Sequence, residues 1–177
     1  MIDSGVSVVT VKGRVRLSAF RPGVIDGMLA HGCSLAQAIK KASVMELETY
    51  RLEVPNLVTN VGKQFMARRI TGEEGTGLTY LALGTGTTAP AVNDTMLASE
   101  SVRKLLTECE QGDQNFYSSV YMLASQCSFA IKEGGLFGGD LATAAANSGA
   151  MLARFLLDFD NSVLQQDLTI QHTGEIL

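Results

Sequence analysis

Tryptophan is absent from this chain, proline and cysteine occur three times each, and aromatic residues make up 6% of 177 positions. A carbohydrate-binding surface built on exposed aromatic platforms has little to draw on here. Charge is scarce as well. Asp, Glu, Lys and Arg amount to 18% of the chain, against roughly 25% in an average soluble domain. The 14 cations and 18 anions leave a net charge of −4, so there is no excess of positive charge to neutralise phosphates, and nucleic acid is not an expected partner. No apolar run approaches the roughly 18 residues of a membrane span. Met1-Ile2-Asp3-Ser4-Gly5 has neither the basic nor the apolar region of a signal peptide, so neither membrane insertion nor signal-directed secretion is expected. Cys33, Cys109 and Cys127 form an odd set without CxxC spacing, which suits free, mostly buried thiols in a reducing cytoplasm.

What is present is 46% hydrophobic residues and 18 glycines, enough for one compact core. Residues 6–20 read as a strand, with Val11, Gly13, Val15, Leu17 and Ala19 alternating against Lys12, Arg14, Arg16 and Ser18. Ser34 can cap a short helix whose Leu35, Ala38, Ile39 and Ala42 make an apolar stripe. A second strand runs over residues 45–54 until Pro55, a helix over about 61–71, and a buried strand over 78–83. Further strands are expected near 102–110, 116–123, 127–132, 151–159 and 168–175, with a turn at residues 160–162. Residues 138–149 read as a surface loop with at most one helical turn at the alanines. The expected fold is mainly β: an antiparallel, jelly-roll-like β-sandwich over residues 56–177 with one or two short helices. Residues 1–55 are expected as a strand-and-helix extension supplying assembly contacts.

Chemistry-bearing clusters are sparse. Gly84-Thr85-Gly86 follows a strand, but Pro90 follows it and the Gly-Lys-Ser/Thr of a phosphate loop is missing. It reads as a tight structural loop, with Gly86 a candidate for positive φ. His31 and His172 are the two imidazoles, and Cys33 lies close enough in sequence to meet His31, but no recognisable nucleophile signature surrounds either. No metal-ligand spacing appears, and no catalytic, cofactor or metal residue is assigned. Glu46, Glu48 and Glu53 read as a solvated strand face. Glu133 interrupts an apolar stretch and therefore needs partners. The candidates are Arg103, Arg154 or the backbone N–H groups of a Gly134-Gly135 turn at a strand end.

Asn56 to Gly62, Tyr80 to Pro90, Asp94-Thr95-Met96-Leu97 with Glu100 and Arg103, Glu133-Gly134-Gly135-Leu136-Phe137, Met151 to Arg154 and Leu168-Thr169-Ile170 follow one another in an order that resembles a family of small bacteriophage tail proteins. Gly84, Gly86, Glu100, Arg103, Glu133, Gly135 and Arg154 are its structural motif positions. The resemblance covers about two-thirds of the chain. Gly134 stands where such sequences usually carry a bulky aliphatic residue, and His172 lies where an aromatic is usual. The resemblance implies a non-enzymatic tail fibre, adaptor or baseplate-associated protein, made in the bacterial cytoplasm and resident in the virion. Such a protein would assemble as a trimer or ring and with other tail proteins, and could contact the host surface. A capsid decoration protein and a carbohydrate-binding receptor module are the alternatives.

Overall fold

Alternation along Val11–Phe20 makes the first strand, β1, of the computed structural model, which describes residues 10–177; residues 6–9 of the expected strand lie outside them. Val15, Leu17 and Ala19 are fully buried, while Lys12, Arg14 and Arg16 stay exposed. The alternation fails at Ser18 and Phe20, which are buried on the opposite face. Two helices, α1 (Val24–Ala30) and α2 (Leu35–Val44), cover that end of the strand and build a second apolar cluster from Phe20, Ile25, Leu35, Ala38, Ile39, Ala42 and Tyr121. The α2 N-terminus carries the Ser34–Gln37 capping box, and its free Leu35 and Ala36 N–H groups donate to the Glu108 carboxylate at 2.7 and 3.1 Å. An anion at this end also offsets the helix dipole.

The chain continues through β2 (Glu48–Pro55), β3 (Leu57–Val58), α3 (Asn60–Thr71), β4 (Leu78–Gly84), β5 (Glu100–Leu105), β6 (Glu108–Gln111) and β7 (Asn115–Met122), then β8 (Ala130–Gly138), β9 (Ala150–Asp160), α4 (Asn161–Leu164) and β10 (Asp167–Ile176). One antiparallel sheet has the order β2-β1-β10-β7-β6 and the other β3-β9-β8-β4-β5. Their facing sides enclose the main core, which includes Val15, Leu17, Leu81, Leu83, Val120, Leu136, Phe155 and Ile170. The protein is thus a mainly β antiparallel sandwich.

Several expectations are corrected. Among the described residues there are four α-helices rather than one or two, since residues 24–30 and 161–164 are also helical. Residues 139–149, between β8 and β9, form the loop expected over 138–149, with Gly138 ending β8 and turns and bends rather than a helical turn at the alanines. The stretch 102–110 is two strands in different sheets. Leu106 N–H donates to Thr79 and Thr107 N–H to Ser119, so the chain changes sheet between those two residues. β8 runs straight through Gly134 and Gly135, where a turn is expected. Of the three thiols only Cys127 is buried; Cys33 is half-buried and Cys109 exposed.

The N-terminal strand is not an extension. β1 pairs with β10 over ten residues and with β2 on its other edge, and its inward side chains belong to the main core. Removing residues 1–55 would strip two of five strands from one sheet and uncover that core. A chain starting at Asn56 is expected to lose cooperative unfolding, read by circular dichroism during urea titration; a sharp transition in the truncated chain would contradict the role given to β1.

Candidate functional site

The motif residues gather on the outer face of the β3-β9-β8-β4-β5 sheet, where two buried arginine–carboxylate clusters each fasten a long loop. Antiparallel register sets Gly84 of β4 beside Glu133 of β8, and Ala82 beside both Gly135 of β8 and Arg103 of β5; Gly135 in turn neighbours Arg154 of β9.

In the first cluster Glu133 is fully buried and Arg154 almost so. Glu133 Oε1 accepts the Ser99 N–H at 2.6 Å and the Gly86 N–H at 3.1 Å. Its Oε2 accepts the Ala98 N–H at 3.1 Å and the Arg154 Nε and Nη2 groups at 3.1 and 2.8 Å. Arg154 Nη1 donates to Asp94 at 2.6 Å, and Nη2 also donates to the Thr88 carbonyl at 2.9 Å. Residues 85–99 are thereby held at both ends and in the middle. Burial pushes the Asp94 carboxyl up, but the Ala91 N–H and the Arg154 guanidinium outweigh it and hold the group below the usual carboxylate range. Arg154 is held above its ordinary value: burial opposes its charge, and Asp94 and Glu133 together overcome that.

In the second cluster Arg103 meets Glu100 as a two-pronged pair at 2.7 and 2.8 Å. Its Nη1 reaches the Ser148 carbonyl at 2.7 Å, the guanidinium lies 4.0 Å from the centre of the Phe137 ring, and the Asn147 N–H donates to Glu100 at 3.0 Å. This cluster fastens residues 139–149. The candidate arginines of Glu133 therefore separate: Arg154 bonds it and Arg103 serves Glu100. Glu133 lies inside β8, not at a strand end, and its backbone donors come from Gly86, Ala98 and Ser99 rather than from a Gly134-Gly135 turn.

Close approach explains the glycines of this region. A Cβ on Gly84 would lie 2.2 Å from the Ser99 carbonyl oxygen, and one on Gly86 2.3 Å from Glu133 Oε1. Gly86 is not among the glycines with positive φ, so its requirement is room for the carboxylate, not a left-handed backbone. Gly135 likewise leaves space for Leu97, whose Cδ2 would sit 3.1 Å from an added Cβ. Gly86→Ala is expected to lower stability by about 1–3 kcal/mol through overpacking, measured as a fall in the urea midpoint; an unchanged midpoint would mean that the loop can move off the carboxylate freely.

Other candidates fall elsewhere. His31 Nδ1 bonds the Gly27 carbonyl at 2.7 Å on the exposed end of α1. Glu48 and Glu53 pair with Arg51 and Arg16 on the surface of β2, and Glu46 is exposed. His172 is buried in β10, with Nε2 2.8 Å from Asn56 Nδ2 and its ring tilted against Phe116 at 5.4 Å. Burial pushes its pKa down to about 4. Sequence reading missed Asp94 as the third ionic member of the first cluster. It also missed Asp167, which accepts the Gly23 and Ala124 N–H groups and the Tyr121 hydroxyl. The local signal for Asp94 was an Asp three residues after Ala91, where its carboxylate accepts the Ala91 N–H and its own N–H donates back to the Ala91 carbonyl.

No family model, curated protein or solved structure matches this chain. No helix among the described residues is long and apolar enough to cross a membrane. The fold and its two clusters define a β-sandwich whose long loops are locked to one sheet by buried charge. In both clusters the ionic groups are spent on the protein's own backbone, and each of the two oxygens of Glu133 is already engaged by at least two donors. Such an arrangement suits shape-keeping and offers little free acceptor capacity for acid–base work.

Proposed function

We propose that this protein is a structural component of a bacteriophage virion, a tail fibre, adaptor or baseplate-associated protein that works by protein–protein contact and not by catalysis. The observation that carries the reading is the fate of the motif residues. Gly84, Gly86, Glu100, Arg103, Glu133, Gly135 and Arg154, scattered over 71 positions of sequence, all serve to lock loops against one sheet. A motif invested wholly in holding shape fits a part whose task is to present a fixed surface. Exposed Ile70, Val163, Leu141 and Val44 add apolar surface of the kind that assembly partners cover.

The test is immunogold electron microscopy of particles purified from a host that carries this gene. Label on the tail supports the reading. Label spread over the head instead supports the capsid-decoration alternative, and particles without label overturn the virion assignment altogether.

A further inference from the structure

β2 is the longest of the four edge strands, with eight residues against six in β5, four in β6 and two in β3. The Asn56 N–H donates to the Gly13 carbonyl at 3.2 Å, and the same register runs on through Val54 beside Val15, Leu52 beside Leu17 and Tyr50 beside Ala19. Bonded pairs alternate along an antiparallel ladder. The backbone groups of Tyr50, Leu52 and Val54 therefore face β1, and those of Arg51 and Glu53 face away from it. No described residue pairs with the N–H or C=O groups of Arg51 and Glu53. A row of free backbone groups at a sheet edge is a template for another strand.

The side chains of this edge are incompletely covered as well. Val15, Leu17 and Ala19 of β1 are fully buried, whereas Val54 and Leu52 beside them are half-buried and Tyr50 is 38% exposed. On the outer face Arg51 pairs with Glu48 of its own strand, and Glu53 pairs with Arg16 of β1. Lys40 of α2 shares a small surface pocket with Arg51 and Arg16 and has no ion-pair partner among the described residues. The two residues whose backbone is free thus carry opposite charges and stand two positions apart.

We propose that β2 pairs with β2 of a second copy of this chain, antiparallel about a two-fold axis beside Leu52. That register sets Arg51 opposite the partner's Glu53, and Glu53 opposite the partner's Arg51, on the outer face. Because these are the residues with free backbone groups, each such pair exchanges both of its N–H···O bonds. On the inner face Leu52 meets the partner's Leu52 and Tyr50 meets the partner's Val54, cross-strand pairs of a kind that stabilises sheets. Neighbouring registers lack this agreement. A shift by one residue opposes free backbone groups to groups already bonded to β1. An axis beside Arg51 or beside Glu53 sets like charges opposite each other, and at Arg51 the charge of Lys40 adds to the repulsion. Pro55 has no N–H to give and ends the ladder on either side. The contact is isologous and closes at two chains, joining the β2-β1-β10-β7-β6 sheets of both edge to edge. The inference goes beyond the proposed function and holds whichever particle contains the protein.

Light scattering on the full chain tests it by charge reversal at two exposed positions, with circular dichroism melting to check that each variant folds. The wild type is expected at twice the 18.8 kDa chain mass. Arg51→Glu alone puts carboxylates opposite each other and Glu53→Arg alone puts cations opposite each other, so each is expected at the single-chain mass. An equal mixture of the two is expected at two chains, because every opposed pair then has unlike charges. The double variant Arg51→Glu with Glu53→Arg restores unlike pairs within one sequence and is expected to dimerise again. A wild type at the mass of one chain or of three, a single variant that still dimerises, or a mixture or double variant that stays monomeric would each overturn the proposal. A measurement on the wild type needs no variant: the Arg51 and Glu53 amides should exchange hydrogen at least about tenfold more slowly than in an unstructured peptide of the same sequence. Rates equal to those of the peptide would overturn the pairing. Unlabelled particles in the microscopy above would leave these solution masses untouched, so the two readings fail separately.

Discussion

Glu133→Ala is expected to destabilise the fold by about 3–5 kcal/mol, the range for breaking a buried ion pair by removing one partner. The substitution orphans the N–H groups of Gly86, Ala98 and Ser99 at once and leaves Arg154, 2% exposed, with Asp94 as its remaining anion. A buried donor without an acceptor loses its hydration and gains nothing in return. For a chain of this size that loss corresponds to a fall in melting temperature of roughly 6–20 °C. Glu133→Gln should lose less, since the amide keeps one acceptor oxygen and the volume of the side chain. The damage should also be local: amide hydrogen exchange should accelerate at Gly86, Ala98 and Ser99 in the alanine variant beyond the change in the core strands. An alanine variant that melts within about a degree of wild type would show that residues 85–99 are held by packing alone, Leu97 against Gly135 included.

That cluster marks where sequence reading stops. Local periodicity shows β1 and α2, because Val15, Leu17 and Ala19 alternate at a period of two and Leu35, Ala38, Ile39 and Ala42 recur at a helical one. The burial of Glu133 is legible too, from its apolar neighbours in sequence. Its donors are not: Gly86 and Ser99 are 47 and 34 residues away, and nothing local distinguishes Arg154 from Arg103 as the partner. α1 escapes for a related reason. It has seven residues, a Gly23 N-cap in the left-handed region and no side-chain cap, and the N–H of Gly23 itself donates to Asp167, 144 residues further on. The sheet change at Leu106–Thr107 is hidden because both flanking segments have the composition of strands. β1 misleads in the opposite direction. A strand at the start of the chain looks detachable, yet its partner is the last strand, and a contact between the two ends of a chain leaves no local trace.

Acid should weaken this protein through His172 before its carboxylates titrate. In the folded state burial holds the imidazole neutral, with a pKa of about 4, while the unfolded chain has the ordinary value of 6.5. Between those values the unfolded state binds the proton more readily than the folded one, so stability rises with pH across the window. The contribution is complete above about pH 6.5 and disappears as the pH falls toward 4, a loss on the order of 3 kcal/mol. The carboxylates held below their usual range, Asp94 among them, act in the same direction but only at lower pH. His172→Gln should remove the dependence within the window, because glutamine has no charge to acquire there and still offers Asn56 a hydrogen-bonding partner. The measurement is the urea midpoint of both proteins at several pH values from about 4 to 7.5. The wild type should lose midpoint steadily below 6.5, while the variant holds level until the carboxylates begin to protonate. Parallel slopes in the two proteins would mean that His172 can take its proton without unfolding the sandwich. That requires β10 to open around His172 far enough to admit water to Nδ1, which has no partner among the described residues.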